Sequence, residues 1–221
     1  MEEPQYALPP FPSISDAQKS RMSLNTVGFR LTQPIMPALK LTTEWAIQDG
    51  KQANNKVNAY GGYANLAYTV LPAKKGVLTG GFYVLSGDDP KTAGVEGWNP
   101  LFSRWPKWSE LYIYSHTSEN IGGGRKVAYW TNTMSPNLRF DMVLNPKIDI
   151  TFWLHHLRAF YATASGSGTT RGNEVQLWAR SKFTKQLTAH LLADYFLAGD
   201  FYADPADNAA FIRAELMYTL Q

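Results

Sequence analysis

Apolar and polar side chains alternate along most of the chain, with a period of two residues. In residues 38–48, Leu39 and Trp45 fall on one side of the chain, while Lys40 and Glu44 fall on the other. An extended strand separates residues in this way, whereas an amphipathic helix repeats its apolar positions every three or four residues. The alternation, together with the composition of one weakly patterned segment, predicts nine β-strands, at residues 23–32, 38–48, 57–71, 76–86, 126–144, 147–155, 174–183, 186–197 and 211–220.

The lengths of the strands and connections favour a membrane barrel over a β-sandwich. Most predicted strands reach about ten residues, close to the roughly 9–11 residues of a tilted strand that crosses a bilayer. Short turns alternate with longer loops, the turns at 33–37, 72–75, 145–147 and 184–186 and the loops at 49–56, 87–125, 163–172 and 198–208. Bacterial outer-membrane barrels have short periplasmic turns and long external loops. We therefore expect an all-β fold, an antiparallel up-and-down transmembrane β-barrel.

The number of strands predicts that this chain supplies only part of a barrel. A single-chain bacterial barrel normally has an even number of strands, whereas about nine are predicted here. Residues 1–22 are acidic and proline-rich and lack the apolar core of a signal peptide. We expect residues 1–22 to be an external loop or a disordered segment. Residues 23–221 then form the barrel segment, with the long external loop 87–125, in a curved sheet that does not close.

Composition excludes several other classes of protein. Aromatic residues make up 14% of the chain, which argues against disorder. The formal net charge of +3 is too small to indicate a nucleic-acid partner. Cysteine is absent from the sequence, so disulfides and thiolate chemistry do not arise. His155 and His156 face opposite sides of one strand and form no metal site. We expect no cofactor, no metal and no enzyme activity.

Several segments of the sequence resemble the bacterial alginate export porin family. They are TTEWAIQDGK (42–51), FYVLSGDDPKT (82–92), WNPLFSRWPKWSELYIYS (98–115), YFLAGDFY (195–202) and FIRAELMYTL (211–220). The resemblance implies an outer-membrane barrel of about eighteen strands, of which this chain is the C-terminal half. It also implies bacterial outer-membrane localisation, contact with outer-membrane lipid, and diffusion or export of an anionic, alginate-like polysaccharide or oligosaccharide. Insertion by the outer-membrane assembly machinery is implied too, although Leu220 stands where the family ends on an aromatic residue.

The polar faces of the predicted strands carry the first group of candidate binding residues. If the apolar faces meet lipid, the opposite faces line a lumen. Arginine binds carboxylates through two parallel hydrogen bonds, which suits a ladder for an anionic saccharide. The candidates are Arg139, Arg180 and Arg213, followed by Arg30 and Lys40. The alternative is that these charges pair with acidic residues on neighbouring strands, as on any polar barrel interior.

The long loop carries the second group of candidates. Aromatic rings stack on sugars, and neighbouring cations bind the carboxylates of uronic acids. The candidates are Trp98, Arg104, Trp105, Lys107 and Trp108. The alternative is that the tryptophans form a small core that folds the loop onto the barrel mouth, because a loop of this length must bury something to stay ordered.

Two other functions compete with the channel. One is a soluble β-sandwich or barrel that binds carbohydrate through the tryptophan-rich loop, which would have to bury Leu39, Trp45, Phe140 and Phe152 against a second sheet. The other is an outer-membrane enzyme. His190 and Asp194 lie on one face of a predicted strand, but no serine in a recognised nucleophile motif accompanies them.

Overall fold

A computed structural model describes residues 22–52, 54–101, 108–109, 111, 120–121, 125–126, 131–162, 168–202 and 207–220. The strands are β1 Met22–Met36, β2 Leu39–Gln52, β3 Asn55–Leu71, β4 Gly76–Leu85, β5 Asn120–Ile121, β6 Arg125–Lys126, β7 Thr133–Asn145, β8 Ile148–Arg158, β9 Thr170–Lys182, β10 Leu187–Ala198 and β11 Ala209–Tyr218. A 3-10 turn, Pro72–Lys74, precedes β4. The predicted segment 1–22 lies outside the described residues except for Met22, which begins β1.

Nine of these strands form one antiparallel sheet in chain order, β1-β2-β3-β4-β7-β8-β9-β10-β11. The prediction of an all-β, up-and-down fold of nine strands is therefore confirmed. Strands β5 and β6 pair only with each other, outside this sheet. Among the described residues β1 and β11 are not paired with each other, so the sheet is open at both edges. No described helix is long and apolar enough to span a membrane.

Two predicted boundaries differ most from the structure. The predicted loop 49–56 is wrong, because β2 and β3 continue in register up to the pair Gln52 and Asn55. Polar residues there indicate a loop. The two strands nevertheless stay paired through their backbones, and this pairing does not require apolar side chains. The strand predicted from residue 126 begins in the sheet at Thr133. The connection between β4 and β7 therefore covers residues 86–132.

The register between strands sorts the side chains onto two faces. One of them, which we call the apolar face, exposes large apolar side chains on all nine strands. They include Val27, Phe29, Ile47, Leu66, Tyr68, Phe82, Leu138, Phe152, Leu177, Leu191, Ile212 and Leu216. The apolar alternation of the sequence thus produces a continuous surface rather than a covered core.

The opposite side of the sheet is the polar face. Side chains there are mostly charged, amide or hydroxyl groups, with a few aromatic rings between them. They include Arg30, Glu44, Tyr63, Tyr83, Ser135, Arg139, Thr151, Gln176, Arg180, His190 and Arg213. The strands end on two sides of the sheet. We call the side where they meet residues 86–132 the loop end, and the side where they meet residues 72–75 the turn end.

A bulge at the loop end of β9 requires glycine. The pairing of β8 with β9 shifts between Leu157 and Arg158. Gly172 lies at the shift with φ of 142°, a conformation that residues with a side chain rarely adopt. A Cβ atom built there would lie 2.1 Å from the carbonyl oxygen of Leu197. The close approach of β10 therefore excludes any side chain at this position.

Substitution Gly172→Ala is expected to lower the free energy of unfolding by about 1–3 kcal/mol from the backbone conformation alone. Gly80→Ala is the matched control, because no heavy atom lies within 4 Å of its Cβ position. The control is expected to change stability by less than about 1 kcal/mol. Urea titration of tryptophan fluorescence in detergent micelles measures both, and equal losses for the two variants would contradict the prediction.

Candidate functional site on the polar face

The connection that follows β4 first runs along the loop end of β3. Val95 accepts a backbone hydrogen bond from Asn58 at 3.0 Å and donates one to Lys56 at 2.9 Å. The backbone N–H of Trp98 then donates to the carbonyl of Ser86 at 2.9 Å. These bonds direct residues 95–98 inward from the end of the strand, toward the polar face.

Trp108 anchors the same connection to the polar face of β3 and β4, near the loop end. Its ring stacks on Tyr83 with centroids 4.1 Å apart and an interplanar angle of 11°. Tyr63 meets the same ring edge-on at 6.3 Å. The cluster around this stack also buries Leu85, Leu111, Leu157 and Phe196. Burial of an indole among aromatic and aliphatic side chains helps to hold the connection against the sheet.

Hydrogen bonds hold the connection on both sides of this stack. On β2, Gln48 donates to the carbonyl of Asn99 at 2.6 Å and accepts from the backbone N–H of Asn99 at 2.9 Å. On β9, Gln176 donates to the carbonyl of Trp108 at 2.8 Å. The hydroxyl of Ser109 donates to Glu174 in a short hydrogen bond. The described residues of the connection therefore contact the polar face both on β2 and on β9.

The two tryptophan candidates that the structure describes are packed against the sheet. Trp108 is 8% exposed. Trp98 packs against the cluster around Trp108, and its ring lies 2.9 Å from a Cβ position built on Gly61. Both rings pack the connection against the sheet. This is the structural role that the sequence analysis gave as the alternative to sugar binding. Arg104, Trp105 and Lys107 lie outside the described residues, and their binding role stays a prediction.

Arg139 and Arg180 belong to one hydrogen-bonded network on β7, β8 and β9. Arg139 donates twice to Asp141, at 2.8 Å for each bond. Thr151 donates to Asp141 at 2.6 Å and accepts from Arg180 at 2.8 Å. Arg180 also donates to Asp149 at 2.5 Å. The network fixes the orientation of both guanidinium groups while leaving them at the surface of the polar face.

Arg213 extends this network to β11. Its Nε donates to Nε2 of His190 at 3.1 Å, and His190 is the cross-strand register partner of Arg180. Glu215 lies 4.0 Å from the guanidinium of Arg213. The three preferred arginine candidates therefore lie on alternate strands, β7, β9 and β11, in one half of the sheet.

Two tryptophans beside these arginines were not predicted as site residues. Arg139 lies over the ring of Trp153 at 5.0 Å, and Arg213 lies over the ring of Trp178 at 5.6 Å. Both rings fall on the polar face, at positions that the alternation of the sequence already assigns to it. Strict alternation through 147–155 and 174–183 would have found them. Each tryptophan presents an aromatic ring beside a cation, an arrangement that stabilises both groups.

The remaining two basic candidates lie apart from this cluster. Arg30 on β1 lies 4.0 Å from Glu44, and both side chains are about half exposed or more. Lys40 is exposed near the turn end of β2. Strands β3 and β4 separate both residues from β7, so the structure brings neither to the arginine network.

Charge on the arginine network is balanced. Each of the three arginines has an acidic neighbour, Asp141, Asp149 or Glu215 respectively. The arginine side chains remain 36%, 41% and 27% exposed in the same order. Such a surface offers donors and acceptors together, which suits a solute that carries both carboxylates and hydroxyl groups. Among the described residues no group of three potential ligands converges on a metal site.

Substitution Asp141→Ala removes three hydrogen bonds from the network and is expected to lower the free energy of unfolding by about 1.5–3 kcal/mol. Glu215→Ala is the control, since its contacts with His190 and Arg213 measure 3.8 Å and 4.0 Å. A partly exposed pair of that kind contributes about 0–1 kcal/mol. Urea titration compares the two, and a larger loss for Glu215→Ala would show that the network does not stabilise the sheet.

No protein-family model matches the chain, and no curated protein matches it either. The resemblance to alginate export porins therefore stays a prediction from the sequence segments quoted above.

Proposed function

We propose that this chain forms part of the wall of an outer-membrane channel for an anionic saccharide. The observation that carries the proposal is the division of one sheet into an exposed apolar face on nine strands and a charged face opposite. Strands of 10 to 17 residues are long enough to cross a bilayer at a tilt. Alternation of outward apolar and inward polar residues is the pattern of a transmembrane barrel strand.

The exposed apolar face argues against the soluble binding module. That module needs a second layer over Phe152, which is 38% exposed, and none of the described elements covers this face. Trp45 packs instead on the backbone of Gly62 in its own sheet. An apolar surface of this extent on a soluble monomer would be exceptional. The acyl chains of a lipid bilayer would cover this apolar face.

The open edges support the same proposal. In a bilayer every backbone N–H and C=O must be paired, so β1 and β11 need partner strands there. A barrel completed by further strands satisfies both edges and encloses the polar face. The prediction of about eighteen strands, taken from the family resemblance, fits this requirement.

The polar face supports an anionic saccharide as the solute. Guanidinium groups recognise carboxylates by paired hydrogen bonds, and their positions here are fixed by Asp141, Thr151 and Asp149. The rings of Trp153 and Trp178 lie beside two of these groups and offer apolar surface to sugar rings. Charge balance along the wall favours weak, repeated contacts, which allow a solute to enter and also to leave.

The membrane proposal predicts that arginine destabilises the protein at one of two neighbouring positions of β3 and is tolerated at the other. Leu66→Arg places the charge on the apolar face and is expected to cost about 2–4 kcal/mol of folding stability in a bilayer. Asn65→Arg places it on the polar face, where its register partner is Gly81 and the neighbouring side chain is the polar Asn137. The control is expected to fold into lipid vesicles like the wild type. Equal tolerance of both substitutions would contradict the assignment of the faces.

The solute proposal predicts a conducting protein that uronate oligomers block. Protein expressed from the complete gene is reconstituted into planar bilayers, and uronate oligomers are titrated against the current. Arg139→Ala, Arg180→Ala and Arg213→Ala are each expected to raise the blocking concentration by about ten-fold, because each removes a charge-assisted hydrogen bond. Lys185→Ala in the turn before β10 is the control, since it removes the same charge away from the polar face. A stable protein without conductance would contradict the proposed function.

A further inference from the structure

We infer that three lysines at the turn end, Lys74, Lys75 and Lys147, bind the anionic headgroups of phospholipids in the adjoining leaflet of the membrane. We call these residues the basic patch. The inference rests on the proposed function, because it takes the apolar face as the surface that meets lipid. It adds a specific lipid contact, which the division of the sheet into two faces does not by itself require.

The basic patch spans two neighbouring turns that a hydrogen bond joins. Lys74 and Lys75 lie between β3 and β4, and Lys147 lies between β7 and β8. Strands β4 and β7 are adjacent in the sheet, so the two turns lie side by side. Nζ of Lys74 donates to the carbonyl of Leu144, at the end of β7, at 2.9 Å. The three lysines therefore belong to one surface rather than to two separate turns.

Backbone hydrogen bonds hold the other two lysines in their turns. The N–H of Lys75 donates to the carbonyl of Pro72 at 3.0 Å, and the N–H of Lys147 donates to Oδ1 of Asn145 at 2.9 Å. Lys75 has a φ of 48°, a left-handed conformation that glycine and asparagine adopt more readily. The geometry of the turn alone therefore does not explain a lysine at this position.

The charge of the basic patch is not compensated by acidic residues. Residues 69–76 and 142–148 include all three lysines and no aspartate or glutamate. The three side chains are exposed, and none of them forms an ion pair with a described residue. Exposed lysines at the loop end, by contrast, share their surface with several carboxylates, namely Asp49, Asp88, Asp89 and Glu96. A positive surface without acidic neighbours is complementary to an anionic ligand.

Exposed apolar side chains beside the lysines favour a lipid over a soluble anion. Leu71 and Leu144 directly precede the two turns, and they are 47% and 40% exposed. In a bilayer such side chains enter the hydrocarbon, while the stems of neighbouring lysines reach along them to the level of the phosphates. The basic patch thus adjoins exposed apolar side chains at the level where a leaflet presents its anionic headgroups.

The first experiment compares two lipids that differ only in their headgroups. Protein expressed from the complete gene is held in a nonionic detergent, and native mass spectrometry measures the binding of phosphatidylglycerol and phosphatidylcholine with identical acyl chains. The wild type is expected to bind phosphatidylglycerol about five-fold more tightly, the ratio that one fully contributing ammonium group supplies. Raising the salt from about 0.1 M to about 1 M is expected to abolish this preference, because the Debye length falls from about 10 Å to about 3 Å.

A triple variant removes the charge of the basic patch and keeps the two turns. Lys74→Gln retains a side-chain donor, Lys75→Asn suits the left-handed backbone, and Lys147→Gln keeps the backbone N–H that bonds in its turn. The variant is expected to bind the two lipids with equal affinity. The matched control removes three exposed lysines at the loop end and is expected to keep the preference. It combines Lys51→Gln, Lys56→Gln and Lys91→Gln.

Folding into vesicles separates this inference from the proposed function. A wild type that does not fold into vesicles of phosphatidylcholine and phosphatidylglycerol overturns the proposed function, and the lipid contact with it. A protein that folds there but shows no preference overturns the lipid contact alone, as does a preference that survives in the triple variant or is lost equally in its control. Loss of the uronate block in the triple variant assigns the lysines to the solute and also overturns the lipid contact. Loss of the preference in the triple variant alone, with the uronate block unchanged, supports the basic patch.

Discussion

The structure depends on a register that keeps a period of two across nine paired strands. Shifting one strand by a single residue would move all its side chains to the other face. In such a shift of β8, Phe152 and Leu154 would enter the hydrogen-bonded network, while Thr151 and His155 would leave the polar face. Both the exposed apolar surface and the arginine network therefore require the same pairing.

That pairing also divides the polar face into two levels with different stabilising interactions. Near the loop end, aromatic stacking on Tyr83 and a hydrogen bond from the side-chain amide of Gln176 hold Trp108 in place. Toward the turn end, charge-assisted bonds link Arg139, Asp141 and Arg180. Tryptophans join the two levels, since Trp153 contacts both the buried cluster and an arginine.

The sequence predicts the strands and faces well because both depend on local alternation. The strands of the β2–β3 hairpin continue to Gln52 and Asn55 through polar residues, and composition alone misread them as a loop. Trp153 and Trp178 are not among the predicted site residues, although strict alternation assigns both positions to the polar face. The contacts of Gln176 with Trp108 and of Glu174 with Ser109 join residues more than sixty positions apart. Local alternation carries no information about such pairs.

The direction of the edge strands limits how the sheet closes. Successive antiparallel pairings connect β1 to β11 through seven strands, so β1 and β11 run in the same direction. A second copy rotated about the pore axis would place β11 beside the partner's β1 in parallel. Antiparallel pairing at both edges instead requires an odd number of further strands, the first and last opposite in direction to β1 and β11. Nine plus an odd number is even, which is the parity normally found in single-chain bacterial barrels. The open sheet is therefore compatible with an even-stranded barrel only if the remaining strands enter as an odd, alternating set.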